Sequence, residues 1–343
     1  MLTYVSGDIW SPALRALAWW WQRGAERKAS ALSSTASPSS PASPPSTTTP
    51  APWKPPGPFE IQYPREYHFI LDEPEKCQDH QPFLVLVVPV GPHNRAARDA
   101  IRRTWGNESL MPGIVIRRLF LLGLPGGPGT GPGAEQGAGL EEELRRESME
   151  HSDLLQCDFL DSYRNLTIKT MMMLEWLASR CPAAAYAVKV DTDVFLNVQL
   201  LVSRLLDPRT AQPRRDYLTG AVIRGGIVRR DKASKWYMPE EVYPGPTYPL
   251  YVSGNAYVFS MDLPRKILEA SRSVQPVHLE DVYLGMCLQR LGVMPAAPPG
   301  PFLLTPVPYE RCRFAGTISV SSVSLGELLG YWADFQKAGP PCP

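Results

Sequence analysis

The pattern of apolar and polar positions divides this chain into a beginning without periodicity and a long, regularly patterned remainder. Phe83–Val90, FLVLVVPV, is apolar at nearly every position, which predicts a strand buried on both faces. Arg95–Trp105 follows it with Ala97, Ile101 and Trp105 at helical spacing. Further strands are predicted at Val115–Leu122, Asp153–Phe159 and Tyr186–Val190, the last interrupted only by Lys189. Gly123–Gly139 is so rich in glycine and proline that it reads as an exposed loop, with helix from Leu140 and a charged, solvated stretch over Glu141–Glu150. Thr167–Ser179 is helical, with Met171, Leu174 and Leu177 among its apolar positions, and residues 197–206 form another helix. Beyond these lie strands at Tyr217–Val222 and Tyr251–Ser260 and helices at Leu263–Ser271, Asp281–Leu291 and Leu325–Lys337. Strands alternating with helices through mostly short links imply an α/β fold, an open parallel sheet covered on both faces. The irregular, aromatic and basic stretch Arg229–Tyr248 breaks this rhythm, and irregular segments of that length within a domain are usually functional.

The patternless beginning has two parts. Ala29–Pro58 is built from Ser, Thr, Ala and Pro, which cannot form a core and reads as a disordered stem. Residues 1–28 read as a degenerate anchor or an interfacial helix: the most apolar run, Ala13–Trp21, contains Arg15 and is far short of the roughly 20 apolar residues a span needs. The predicted organisation is therefore segment 1–28, stem 29–58 and folded domain 59–343. With 44% hydrophobic residues the domain can build a sizeable core. A formal net charge of +1, without a basic run, gives no support to nucleic-acid binding. Six cysteines without C-x-x-C spacing argue against zinc, and their even number suits disulfides in a secretory compartment. Two glycosylation sequons, Asn107-Glu108-Ser109 and Asn165-Leu166-Thr167, point to the same compartment.

The candidate chemistry centres on YAVKVDTDVFLN at 186–197. Asp191 and Asp193 follow a buried strand, at the edge where parallel sheets carry their sites. Two acids one residue apart on a strand project to one side and repel, so a hard divalent cation would settle between them, with phosphate oxygens completing its shell. The competing role for Asp193 is a helix N-cap before VFLNVQLLVSRLL.

The pair is one of seven ordered blocks: AIRRTWGNESL (100–110), RLFLLGL (118–124), NLTIKT (165–170), VKVDTDVFLN (188–197), SKWYMP (234–239), YPLYVSGNAYVFS (248–260) and HLEDVYLGMCL (278–288). Together they resemble the β-1,3-glycosyltransferases of glycosyltransferase family 31, and the galactosyltransferase branch more than the N-acetylglucosaminyl one. The resemblance runs from about Phe83 to the C-terminus. It implies a GT-A fold, a Rossmann-like mixed sheet flanked by helices, with a UDP-sugar donor, Mn²⁺ and inversion at the transferred carbon. It also implies a lumenal catalytic domain in the Golgi membrane with type II topology. The chain departs from the family at Val252, where relatives often have Cys, and at Asp99, where they often have Arg.

Chemistry then suggests roles. Asp193, with Asp191 in support, is the metal site, where departure of the diphosphate builds negative charge. Asp281 is the candidate general base for the attacking hydroxyl; Glu280 is second choice for that role, its alternative being a hydrogen bond to the acceptor. Both acids could instead be favoured merely by a helix N-terminus. Arg98 and Arg102 are placed at the diphosphate, by direct contact or by lining its pocket, whereas Arg103 is a surface residue. Lys235, Trp236 and Tyr237 suit stacking on an acceptor sugar, although Trp236 could be core. Gly254 would let a ligand approach the backbone, although a turn would need glycine too. His278 either tunes Asp281 or has a structural capping role. The reading is an inverting transferase moving galactose from UDP-galactose to the 3-hydroxyl of a terminal N-acetylglucosamine. Its alternatives are a β-1,3-N-acetylglucosaminyltransferase acting on galactose and a catalytically silent glycan-binding or chaperone protein.

Overall fold

In the computed structural model the residues described are 57, 59–78, 80–126, 134–205 and 213–342. The segment 1–28 and the stem, apart from residue 57, lie outside them. The chain opens with the short strand β1 (Phe69–Leu71) and the central strand β2 (Leu84–Pro89), followed by helix α1 (Arg95–Arg103) and strand β3 (Ile116–Leu124). Helix α2 (Ala134–His151), β4 (Leu154–Leu160), α3 (Leu166–Arg180), β5 (Tyr186–Val190), β6 (Val194–Leu196) and α4 (Val198–Leu205) come next. The remainder is β7 (Leu218–Ile223), β8 (Tyr251–Ser260), α5 (Leu263–Ser271), α6 (Glu280–Leu291), β9 (Phe302–Leu303), α7 (Arg311–Ala315), β10 (Ser319–Ser321) and α8 (Leu325–Phe335).

The main sheet has seven strands in the order β1-β4-β3-β2-β5-β8-β7. Its middle four, β4, β3, β2 and β5, are parallel. β1 joins β4 antiparallel, and β8 joins both β5 and β7 antiparallel. The mixed α/β sheet flanked by helices is thus what the chain forms, while the purely parallel sheet suggested by alternation holds only for the centre. Alternation along β2 divides the core. Val85 and Val87 face α3, α5 and α6 through Met171, Ile267 and Val282, and Leu84, Leu86 and Val88 share the opposite core with Ile101 of α1, Leu201 of α4 and Trp332 of α8. Each such fully buried side chain contributes about 1.5–3 kcal/mol, which leaves the sheet centre rigid enough to hold charged groups at its edge.

Two local differences from the sequence pattern bear on function. Val194–Leu196, which the N-cap alternative for Asp193 would make helical, is instead β6, paired antiparallel with β10, which in turn pairs parallel with β9. Helix α4 starts later and is capped by Asn197, whose Oδ1 accepts from the Leu200 amide at 3.0 Å, so Asp193 is not its N-cap. Helix α2 begins at Ala134, inside the stretch expected to be loop, because Ala134, Glu135 and Gln136 are helix formers despite the surrounding glycines.

Disulfides join Cys77 to Cys181 and Cys312 to Cys342, leaving Cys157 and Cys287 as buried thiols. Val252 is buried opposite Val222 in the β7/β8 pair. Among the described residues no helix is long and apolar enough to cross a membrane.

Candidate active site

The site lies where β5 ends beside β8 and the first turn of α6. Val190 pairs with Ala256, and the Asp191 amide still donates to the Asn255 carbonyl at 2.9 Å. The chain then turns, so Asp191 and Asp193 sit on the link between β5 and β6 rather than alternating along a strand. What brings acids together here is turn geometry, not the pleat.

At the centre is a residue that the sequence reading left as an oddity. Lys189, 5% exposed, sends its Nζ to Asp191 Oδ1 at 2.7 Å, to the Gly254 carbonyl, and to within 3.2 Å of Glu280 Oε1. Burial lowers the affinity of this amine for its proton, but the charges of Asp191 and Glu280 outweigh burial and raise its pKa overall. One ammonium therefore ties the acid of the D-x-D turn to the acid that opens α6. The sequence signal was there: a single cation inside an otherwise apolar strand costs too much to bury without paired acids.

Glu280 is 6% exposed. Its Oε2 accepts from Tyr257 Oη and Thr170 Oγ1, each at 3.1 Å, whereas its Oε1 is close to Lys189 as a charge without being aligned as a hydrogen bond. Burial pushes its carboxyl up, and Lys189 opposes that shift. Asp281 is half-buried and differently held: Oδ2 accepts from the Gly254 amide at 3.1 Å and Oδ1 from the Val282 amide at 2.8 Å. Burial raises its pKa, against the pull of those two amides.

Gly254 is required here by a close approach. A Cβ at this position would stand 2.7 Å from Glu280 Oε1. The glycine thus packs against the protein's own acids, donating to Asp281 and accepting from Lys189.

Asp193 is exposed, and among the described residues no other donates a hydrogen bond to its carboxylate. Desolvation first and Asp191 second raise its pKa. An unsatisfied carboxylate beside a second acid is chemically suited to a hard divalent ion. Among the described residues there is no cluster of three or more candidate metal-ligating side chains, so the protein would offer two carboxylates and leave the other positions to a ligand.

The NLTIKT block explains itself in space. Thr167 Oγ1 donates to the Val277 carbonyl at 2.6 Å, Lys169 Nζ donates to the Val90 carbonyl and to both oxygens of Asp161, and Thr170 holds Glu280. Three buried side chains on one face of α3 thereby fix the start of α6 and the end of β2.

Arg98 and Arg102 are not free to grip a diphosphate. Arg98, 1% exposed, forks onto Glu147 at 2.6 and 2.7 Å and donates to the Gly91 and Pro92 carbonyls. Arg102 binds Asp153, Glu147 and Asp99. Burial alone would raise the Asp153 carboxyl, but Arg102 and Arg118 outweigh it and hold its pKa below the ordinary range. Both arginines are thus held by acids and carbonyls of the chain itself, with Arg98 bracing the loop after β2. Arg103 is exposed, as expected.

Trp236 is 50% exposed, which removes the core alternative, and Lys235 Nζ lies 4.8 Å from its ring centre. Tyr237 meets the ring of Phe59 edge-on at 5.3 Å. His278 neither caps α6 nor bonds Asp281: it is buried against Phe59, and among the described residues its Nδ1 has no partner. Asn107 is exposed, its Oδ1 accepting from the Ser109 amide. Asn165 is half-buried and donates from Nδ2 to the Leu160 carbonyl, while Thr167 of its sequon is fully buried.

The family described as Galactosyltransferase matches residues 96–299. β-1,3-Galactosyltransferase 2 of Homo sapiens is 43% identical over 279 residues, which cover 80% of this chain and 64% of that protein. The Pongo abelii protein of the same name has the same identity and coverage. The chain thus spans a little under two thirds of those relatives. β-1,3-Galactosyltransferase 1 of Mus musculus is 41% identical over 274 residues, covering 80% of each. Among solved structures, a glycosyltransferase involved in glycosylation of the major capsid of PBCV-1 is similar over 74% of this chain and 100% of its own, with 8% identity and a TM-score of 0.37. On the sequence matches, which include the D-x-D turn, Lys189 and the Glu280-Asp281 pair within residues 96–299, this chain belongs to the galactosyltransferase family.

Proposed function

We propose that this protein is an inverting β-1,3-galactosyltransferase, moving galactose from UDP-galactose to the 3-hydroxyl of a terminal β-N-acetylglucosamine on glycoprotein or glycolipid glycans. The observation that carries the reading is the pairing of two acid sites by one buried ammonium: Lys189 joins Asp191, beside the unsatisfied Asp193, to Glu280, beside the accessible Asp281. An inverting displacement needs this division. Negative charge develops on the leaving diphosphate at one side, and a proton must leave the attacking hydroxyl at the other.

Asp281 is the base in this mechanism. Each of its oxygens accepts one backbone amide, which fixes the carboxylate and leaves lone pairs for the incoming hydroxyl. As the hydroxyl oxygen bonds to the anomeric carbon, its proton passes to Asp281, and the pair of electrons in the old bond leaves with UDP. Glu280, enclosed by Tyr257, Thr170 and Lys189, holds the site together and orients the acceptor. Asp193, with Asp191 in support, would hold Mn²⁺, whose charge stabilises the diphosphate as it departs. Lys235, Trp236 and Tyr237 offer a cation and ring faces to the acceptor.

The proposed address is the Golgi lumen, with membrane attachment in type II topology. Two disulfides support an oxidising compartment. Asn107, exposed, is the sequon suited to carry glycan; modification of Asn165 would sacrifice its bond to Leu160.

The test is transfer from a panel of UDP-sugars to β-N-acetylglucosamine and β-galactose acceptors, with Mn²⁺ and after chelation. UDP-galactose on N-acetylglucosamine should react, chelation should abolish transfer, and Asp193→Ala should do the same without changing the thermal unfolding midpoint. Transfer that survives both treatments would refute the metal role, and preference for UDP-N-acetylglucosamine would refute the donor.

A further inference from the structure

Beside the Glu280-Asp281 pair lies a recess of about 160 Å³ that shares Lys235 and Tyr237 with the proposed acceptor site. Phe59, Arg164, Lys232, Lys235, Tyr237 and His278 line it. Three of these are cations, and no acid is among the lining residues. Arg164 lies over the Phe59 ring at 4.3 Å. Lys232 and Lys235 make no ion pair or hydrogen bond with any described residue; the contact of Lys235 is with the face of Trp236. Ammonium groups gathered at a concave surface raise the local concentration of anions.

A second, independent observation concerns His278. His278 is 2% exposed, yet among the described residues its Nδ1 has no hydrogen-bond partner, and the ring that covers it belongs to Phe59 at 5.5 Å. A buried ring nitrogen left unpaired costs free energy unless a ligand supplies the missing partner. Lys235 and Tyr237, both offered above to the acceptor, line the recess together with Tyr163. His278 also stands only two residues before Glu280.

We infer that this recess is a subsite for a negatively charged substituent, a carboxylate or a sulfate ester, on the acceptor glycan. The inference rests on the acceptor role proposed above and narrows it: charged glycans ending in N-acetylglucosamine are preferred over neutral ones. Lys232 and Lys235 supply the charge, His278 Nδ1 a directional hydrogen bond, and Phe59 the apolar wall that packs against the sugar carrying the group.

The test is equilibrium binding of the full chain, saturated with UDP and Mn²⁺, to three oligosaccharides ending in N-acetylglucosamine that differ only in carrying no charge, a sulfate ester or a carboxylate. At least one charged glycan should bind about tenfold or more tightly than the neutral one, as a desolvated charge-assisted contact allows. That advantage should shrink with added salt and fall to about threefold or less in Lys232→Gln, an exposed position where substitution leaves the core intact. Which charged glycan wins identifies the source of the anion. Equal binding of all three glycans overturns the inference while leaving the transferase reading intact. If Lys232→Gln instead weakens UDP and preserves the ratio of charged to neutral binding, the cations serve the donor and the inference fails. Binding of none of the three would refute the acceptor reading itself, and the subsite with it.

Discussion

Asp281→Asn and Glu280→Gln should differ in kind, and the structure says by how much. Asp281 receives one amide on each oxygen, from Gly254 and Val282. Asparagine keeps one oxygen, so one of those amides would face an NH₂ group and lose a bond to a charged acceptor, worth about 1.5–3 kcal/mol of stability. The chemical loss is separate. Asparagine cannot take a proton, and removing a general base lowers the rate by about a hundredfold or more, or about 2.7 kcal/mol on the barrier. Glu280→Gln is milder in mechanism: Tyr257 and Thr170 present hydroxyls that can reverse and accept, so the enclosing bonds survive and turnover should remain measurable. Initial rates with acceptor varied, giving kcat and KM separately, distinguish the two, alongside urea unfolding of each variant. The pH profile adds a sign. A base works unprotonated, and burial raises the Asp281 pKa, so the rate should fall with decreasing pH at values above the ordinary aspartate pKa of about 3.9. Asp281→Asn should lose that acid limb in whatever activity remains. Normal turnover by Asp281→Asn with a dead Glu280→Gln would show that the wrong carboxylate has been assigned; two active variants would place the base elsewhere.

Other outcomes follow from the same geometry. Lys189→Met should destabilise the protein by about 3–5 kcal/mol, measured by urea unfolding, because it leaves the buried Glu280 carboxylate without its counter-charge; unchanged stability would refute the central place of this ammonium. Gly254→Ala should cost about 1–3 kcal/mol and slow kcat, since its Cβ would stand 2.7 Å from Glu280 Oε1. Wild-type rate and stability in that variant would mean the approach is not confining. Asn107→Gln should remove a glycosidase-sensitive mass shift that Asn165→Gln leaves in place, read from the secreted folded domain.

Fold legibility followed contact range. Tyr251–Ser260 and Leu263–Ser271 match the predicted strand and helix at both ends, because each is bounded by its own pattern and buried on a continuous face. β6 was missed because VFL is as apolar as a helix start, and its partner, β10, lies far along the chain, from Ser319 to Ser321. Nothing within the local window distinguishes the two outcomes. The antiparallel placing of β8 against β5 is equally invisible to periodicity, yet it is what carries Gly254 to the end of β5.

The site divides along the same line. Acids at strand and helix ends are readable from sequence because an ionised carboxylate at such a place requires a reason close at hand. Arginines are not, because their reason comes from elsewhere: Arg98 and Arg102 are occupied by Glu147 and Asp153, which no local pattern associates with them. The case of Lys189 joins these two halves. Its presence in an apolar strand announced that a buried charge must be compensated, and only the fold could name Asp191 and Glu280 as the compensating pair. That pairing has a mechanistic consequence. The acid at the end of β5 and the acid opening α6 share one cation, so a displacement of either moves the counter-charge of the other. The donor and acceptor sides of the proposed reaction are thereby held in a fixed relation by one buried residue, which is why its removal should alter binding and turnover together rather than one alone.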